Sequence, residues 1–249
     1  MGERSIDVKR FIDRLDGCFN KNDLKAAREC IDHWENEARE FADDRGLLTV
    51  LNEAVGLYRR TQKKSKALAA MNECLSLVEK LGLSDSPSGA TVFINAATTL
   101  SFFGSEKDCL YLYDKAALCY ENSGKTLSYE YAALLNNRAA TLYGLKRYDQ
   151  AEKDWLAAIE VLKKIGQHAG EIAISLVMLA HLTFDRDENY EKCEALLDKA
   201  WEYINSPDQQ RDGNYAYVLK KCAPSFEYFQ RKDEADAMRR VAKEIYESN

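Results

Sequence analysis

A chain of 249 residues, with 46% hydrophobic and 31% charged residues, has the length and composition of a folded protein. Its net charge of −6, without a dense run of Lys or Arg, argues against non-specific binding to nucleic acid or to an anionic membrane surface. The seven cysteines form no CxxC pair and no zinc-ligand spacing, which favours reduced thiols in a cytoplasmic protein. The first eleven residues, MGERSIDVKRF, contain no apolar run like that of a signal peptide.

Small residues recur along the chain at a fixed step of 42 residues. There are two such series, seven positions apart, and a bulky apolar residue stands between a member of the first series and the corresponding member of the second. The first small series is Ala67, Cys109, Ala151, Cys193 and Ala235, the second is Cys74, Ala116, Ala158, Ala200 and Ala242, and the bulky residues are Met71, Tyr113, Trp155 and Leu197. A period of this length is typical of helical repeats. Because a larger side chain would push two crossing helices apart, the small residues, including the three cysteines, are predicted to be buried.

The apolar spacing divides the chain into helix pairs, and we find no boundary that would split residues 1–249 into separate domains. The six pairs are predicted near 5–42, 43–83, 86–124, 127–166, 169–206 and 207–248. Gly82, Gly124 and Gly166 are predicted to end second helices in the left-handed conformation.

Other local signals predict where helices begin. Ser86-Pro87 and Ser206-Pro207 are each predicted to be an N-cap followed by proline at the first helical position. Ser105 is predicted to cap a second helix together with Asp108. Pro224 falls inside the first helix of the last pair, where it should kink that helix.

The fourth unit carries the clearest family pattern, with Leu-Asn-Asn-Arg-Ala-Ala-Thr-Leu-Tyr over 135–143, Tyr148-x-x-Ala151, and then Trp155 and Ala158. This pattern resembles a tetratricopeptide repeat, lengthened here from the usual 34 or so residues. Such long repeats are similar to those of kinesin light chain and of peptide-sensing regulators in Gram-positive bacteria. The resemblance implies an all-α, right-handed superhelical solenoid of about six antiparallel helix pairs, whose first helices line a concave groove. Arg138 and Arg239 depart from it, because the family has apolar residues there.

The strongest functional signal is a series of asparagines, Asn52, Asn95 and Asn137, each two residues before a small residue of a first helix. The resemblance implies that this position faces the groove, where an asparagine grips the backbone of an extended peptide. Asparagine inside a helix costs up to about 0.7 kcal/mol relative to alanine, so stability alone explains the series poorly. The alternative is that the residue is copied with the repeat, or bonds a neighbouring helix. Both readings remain open.

The same register predicts further groove residues. In the middle units they are Thr98, Phe102, Asn136, Ala140 and Tyr143, and in the last unit Tyr217, Lys220 and Lys221. The two lysines could hold a carboxylate, although a solvated helix face is the favoured explanation for each lysine taken individually.

Catalysis has little support in the sequence. The three histidines, His33, His168 and His181, lie in different units, and no nucleophile, phosphate-binding or metal motif accompanies them. His181 is expected to be a hydrogen-bonded structural residue. We therefore expect no catalytic residue, cofactor or metal, and hypothesise a non-catalytic scaffold that binds a protein or peptide segment in its groove. The alternative is a regulatory sensor that changes curvature on binding a small signalling peptide. The oligomeric state stays open.

Overall fold

The structure, a computed structural model, describes residues 4–207 and 209–248, apart from the side chains of residues 106–108. Of these residues 81% are helical and none lies in a strand, which confirms the all-α prediction. The helices are α1 (Val8–Asn20), α2 (Leu24–Glu40), α3 (Asp44–Arg60), α4 (Lys64–Lys80), α5 (Pro87–Phe102), α6 (Glu106–Asn122), α7 (Tyr129–Gly144), α8 (Tyr148–Ile165), α9 (Ala169–Asp187), α10 (Tyr190–Ile204), α11 (Gly213–Tyr228) and α12 (Lys232–Ser248).

The helices group into two compact units, Met1–Lys125 and Thr126–Asn249. In each unit every odd-numbered helix packs against the helix that follows it. In the first unit α3 also contacts α1 and α5, and in the second unit α9 contacts α7 and α11. The first helices of consecutive pairs therefore lie side by side within each unit. That residues 1–249 act as a single domain stays a prediction.

The repeating small residues lie at the helix crossings, as predicted. All ten are at most 1% exposed, and the bulky residues between them are buried as well. The cysteines of this series are thiols, and burial raises the pKa of Cys74 to about 12. Because the core is packed at every step of 42, truncating a residue such as Trp155 would cost about 3–5 kcal/mol.

The glycines follow the ends of their helices as predicted, with positive φ angles of 64° at Gly82, 66° at Gly124 and 73° at Gly166. Gly166 has a ψ of 169°, so it is extended rather than in the left-handed helical conformation that was predicted for it. Ser86 caps α5, since its hydroxyl accepts the N–H of Gly89 at 3.1 Å. Pro87 stands in the first turn of that helix.

The prediction for Ser206-Pro207 was wrong, because α11 begins only at Gly213. Its cap is Asp212, whose carboxylate accepts the N–H of Tyr215 at 3.0 Å. A carboxylate is a strong cap, since its charge also interacts favourably with the positive end of the helix dipole. Ser206 continues the turn after α10, donating its N–H to the carbonyl of Tyr203. Ser105 directly precedes α6, and the side chain of Asp108 lies outside the described residues.

The residues that depart from the family pattern find polar partners. Arg138 forms a bidentate pair with Asp154 of α8, with N···O distances of 2.7 and 2.9 Å, and Asp154 is 7% exposed. Arg239 is exposed and bonds Glu227 and Asp236, while its neighbour Met238 takes the buried place. Pro224 lies inside α11, which continues past it to Tyr228.

Candidate functional site

Two asparagines of the series bond each other in the first unit. Asn95 donates its side-chain N–H to Asn52 Oδ1 at 2.9 Å, which links α5 to α3. Both side chains are half-buried. The pair therefore bridges two neighbouring helices, and the amides are partly engaged by the fold itself.

Asn137 in the second unit is different. It is half-buried on α7, and no side-chain hydrogen bond forms to it among the described residues. Its neighbour Asn136, by contrast, bonds the hydroxyl of Ser175 on α9 at 2.8 Å. An amide offers two donors and an acceptor, and within the described residues no side-chain hydrogen bond uses those of Asn137.

The predicted residues Thr98 and Phe102 of the first unit both lie on α5, but their side chains contact different residues. The Thr98 hydroxyl bonds that of Tyr113 on α6 at 2.9 Å, so this side chain serves the contact within its own helix pair. Phe102 is 54% exposed and packs edge-on against Phe103, with ring centroids 5.0 Å apart.

Tyr143, another predicted groove residue, links two first helices of the second unit, α7 and α9. Its hydroxyl donates to the carboxylate of Asp185 on α9, and its ring lies 5.8 Å from that of Trp155. Burial, and then the bond to Asp185, raises the pKa of Tyr143, so the hydroxyl stays a proton donor at neutral pH. Asp185 was missed from the sequence. The available signal was its spacing, one step of 42 residues after Tyr143.

His181 is the hydrogen-bonded structural histidine that the sequence predicts. Its Nε2 lies 2.9 Å from Ser225 Oγ on α11. Burial lowers the pKa of His181, against an opposing effect of Asp185, so the ring is neutral at pH 7.

The ring of His181 belongs to an aromatic cluster, which we define as His181, Phe184, Tyr228 and Phe229. His181 lies 5.2 Å from Tyr228 and 5.0 Å from Phe229, and Phe184 lies 5.9 Å from each of those two rings. Tyr228 is 54% exposed, so the cluster presents an aromatic ring to solvent. Its members were not predicted as site residues, because their spacing along the sequence is irregular.

The remaining predicted residues lie on α11. The Lys221 ammonium lies 5.5 Å from the ring centroid of Tyr217, and Lys220 lies 5.6 Å from that of Tyr246 on α12. Each lysine is exposed but directed to a different ring, so the two do not form one carboxylate clamp. Ala140 is exposed on α7.

Within the described residues, no group of three or more His, Cys, Asp or Glu side chains is placed to hold a metal ion. The helices described there include none with the length and apolar content needed to cross a bilayer.

Comparison with known proteins shows the fold. No protein-family model matches the sequence, and no curated protein matches it. Several solved structures are similar. BtubC from P. vanneervenii superposes with a TM-score of 0.59 at 14% identity, over 98% of this chain and 92% of that one. A Rap protein in complex with competence and sporulation factor superposes with a TM-score of 0.61 at 15% identity, over 97% of this chain and 75% of that one.

A third similar structure contains the TPR-like repeats of a protein assigned as a kinesin light chain from Podosopora anserina. It superposes with a TM-score of 0.57 at 12% identity, over 80% of this chain and 94% of that one. Identities this low establish shape rather than function. The sequence resemblance is confirmed at that level, and the chain has the tetratricopeptide-like repeat fold.

Proposed function

We propose that this chain is a non-catalytic repeat scaffold that binds a protein or peptide segment on the first helices of its second unit, α7, α9 and α11. The observation that carries the proposal is the uncommitted amide of Asn137 on the middle of α7. The similar Rap structure, which contains a bound factor, supports a peptide ligand for this fold.

The chemistry of the surface suits an extended backbone. The Asn137 amide can accept a backbone N–H and donate to a backbone C=O, which gives affinity and register without reading the ligand's side chains. Exposed rings of Tyr217 and Tyr228 offer apolar area on α11, which packs on the far side of α9 from α7. Asn52 and Asn95 are not required for this contact, since they bond each other in the first unit.

The test is selection of binders from a phage-displayed library of random 12-residue peptides on the immobilised chain. The affinity of a selected peptide is then measured for the wild type, for Asn137→Ala and for Asn95→Ala. Because Asn137→Ala removes a paired donor and acceptor, it should weaken binding at least about tenfold, which is about 1.4 kcal/mol. Asn95→Ala is the matched control and should leave the affinity unchanged.

Failure to select any peptide, or equal affinity of the wild type and Asn137→Ala, would remove the proposal. The sensor alternative uses the same contact, so small-angle scattering with and without the selected peptide distinguishes it by a change in the particle's dimensions.

A further inference from the structure

Asp185 carries a negative charge that the fold leaves uncompensated. Its side chain is exposed on α9, and among the described residues it forms no ion pair. The adjacent arginine, Arg186, bonds Asp187 and Glu152 instead, at 2.8 and 2.7 Å. Within the part of the chain that the structure describes, the Asp185 carboxylate accepts one hydrogen bond, from the Tyr143 hydroxyl, and an ionised carboxylate can accept about four.

The groups beside Asp185 do not supply the missing positive charge. His181 lies one turn earlier on the same helix, but its lowered pKa keeps it neutral at pH 7. Tyr143 donates a proton without carrying a charge. The surface therefore combines an available carboxylate with neutral aromatic groups.

Aromatic residues stand on the two helices that flank α9, the helix of Asp185. Tyr143 stands on α7, and Phe184 and Tyr228 of the aromatic cluster lie on α9 and α11, with their rings 5.9 Å apart. Since Tyr228 is 54% exposed, its ring is accessible to a ligand.

We infer that this surface receives a basic side chain, Arg or Lys, of the bound protein segment, an inference that rests on the proposed function. The carboxylate would accept charge-assisted hydrogen bonds from the cation, and the face of Tyr228 would attract it through the ring quadrupole. An acidic residue would be repelled, and an apolar one would desolvate Asp185 without compensation. The net charge of −6 also favours a basic partner during encounter.

The same random 12-residue library tests the inference, with selections run in parallel on the wild type and on Asp185→Asn. Asparagine keeps an oxygen that can accept the Tyr143 hydroxyl, and thermal melting checks that the fold is retained. Arg or Lys should be enriched at one position on the wild type and not on Asp185→Asn. The control is Asp236→Asn, which removes an equal charge from α12, where Asp236 pairs with Arg239.

The affinity of one selected basic peptide for each variant measures how much Asp185 and Tyr228 contribute to binding. Asp185→Asn should weaken its binding at least about tenfold. Tyr228→Ala should weaken it severalfold, and Tyr228→Phe should restore most of the loss because the ring remains. Replacing the basic residue of the peptide by citrulline should weaken binding to the wild type by the same factor. The same replacement should weaken binding to Asp185→Asn only slightly further.

The outcomes separate the two proposals. Selected peptides that lack a basic residue, or basic peptides bound equally well by Asp185→Asn, overturn the inference and leave the proposed function standing. A wild type that selects no peptide overturns both.

Discussion

The bond between Asn52 and Asn95 allows a stability test in which two opposing effects can be separated. The perturbation is a double-mutant cycle with Asn52→Ala, Asn95→Ala and both changes together. A half-buried hydrogen bond of this kind contributes about 1 kcal/mol net. Each change to alanine recovers up to about 0.7 kcal/mol, because alanine is the better helix former.

These magnitudes predict an unusual pattern. Each single variant loses the bond and gains helix propensity once, so it should be destabilised by only about 0.3–0.5 kcal/mol. The double variant loses the same bond once and gains propensity twice, so it should be as stable as the wild type or slightly more stable. The coupling free energy between the two positions is then about 1 kcal/mol.

Urea denaturation followed by circular dichroism measures the three free energies. Hydrogen exchange of peptides from α3 and α5 shows whether the effect lies in the first unit. If the single effects simply add, with coupling below about 0.3 kcal/mol, the two amides do not bond in solution, and Asn52 and Asn95 do not differ from Asn137 in this respect.

Two further predictions concern the second unit. Asp154→Ala, which strips a nearly buried carboxylate from Arg138, should lower the free energy of unfolding by about 2–4 kcal/mol in urea melts, and a loss below about 0.5 kcal/mol would show that the pair is not formed. The lowered pKa of His181 means that the unfolded chain binds its proton more readily, so this residue's contribution to stability is present above about pH 6.5 and is lost as the pH falls below it. His181→Phe should flatten that part of the stability profile between pH 7 and pH 5 relative to the wild type, and an unchanged profile would contradict the assignment.

The sequence by itself predicts the helices and which face of each is buried. The step of 42 residues placed Ala151, Trp155 and Ala158 in the core correctly, because crossing helices accept only small residues at the contact and the requirement recurs in every unit. The positive φ angles of Gly82, Gly124 and Gly166 were equally predictable, since a positive φ is a local property of the backbone that glycine accepts without steric cost.

What the asparagines bond could be decided only by the tertiary structure. Asn52, Asn95 and Asn137 occupy the same position of the repeat, yet the first two bond each other and the third forms no side-chain bond within the described residues. A repeat pattern specifies which helix face a residue lies on, but a hydrogen bond also depends on the side chain opposite it.

The same reason explains the other residues that sequence reasoning missed. Asp185 and Ser225 matter through Tyr143 and His181, which stand on neighbouring helices. The partner of Arg138 is likewise on another helix, since Asp154 belongs to α8. Periodicity reports the burial of each helix separately, whereas polar contacts between helices depend on the distance and direction of two particular side chains, which arise only when the helices pack.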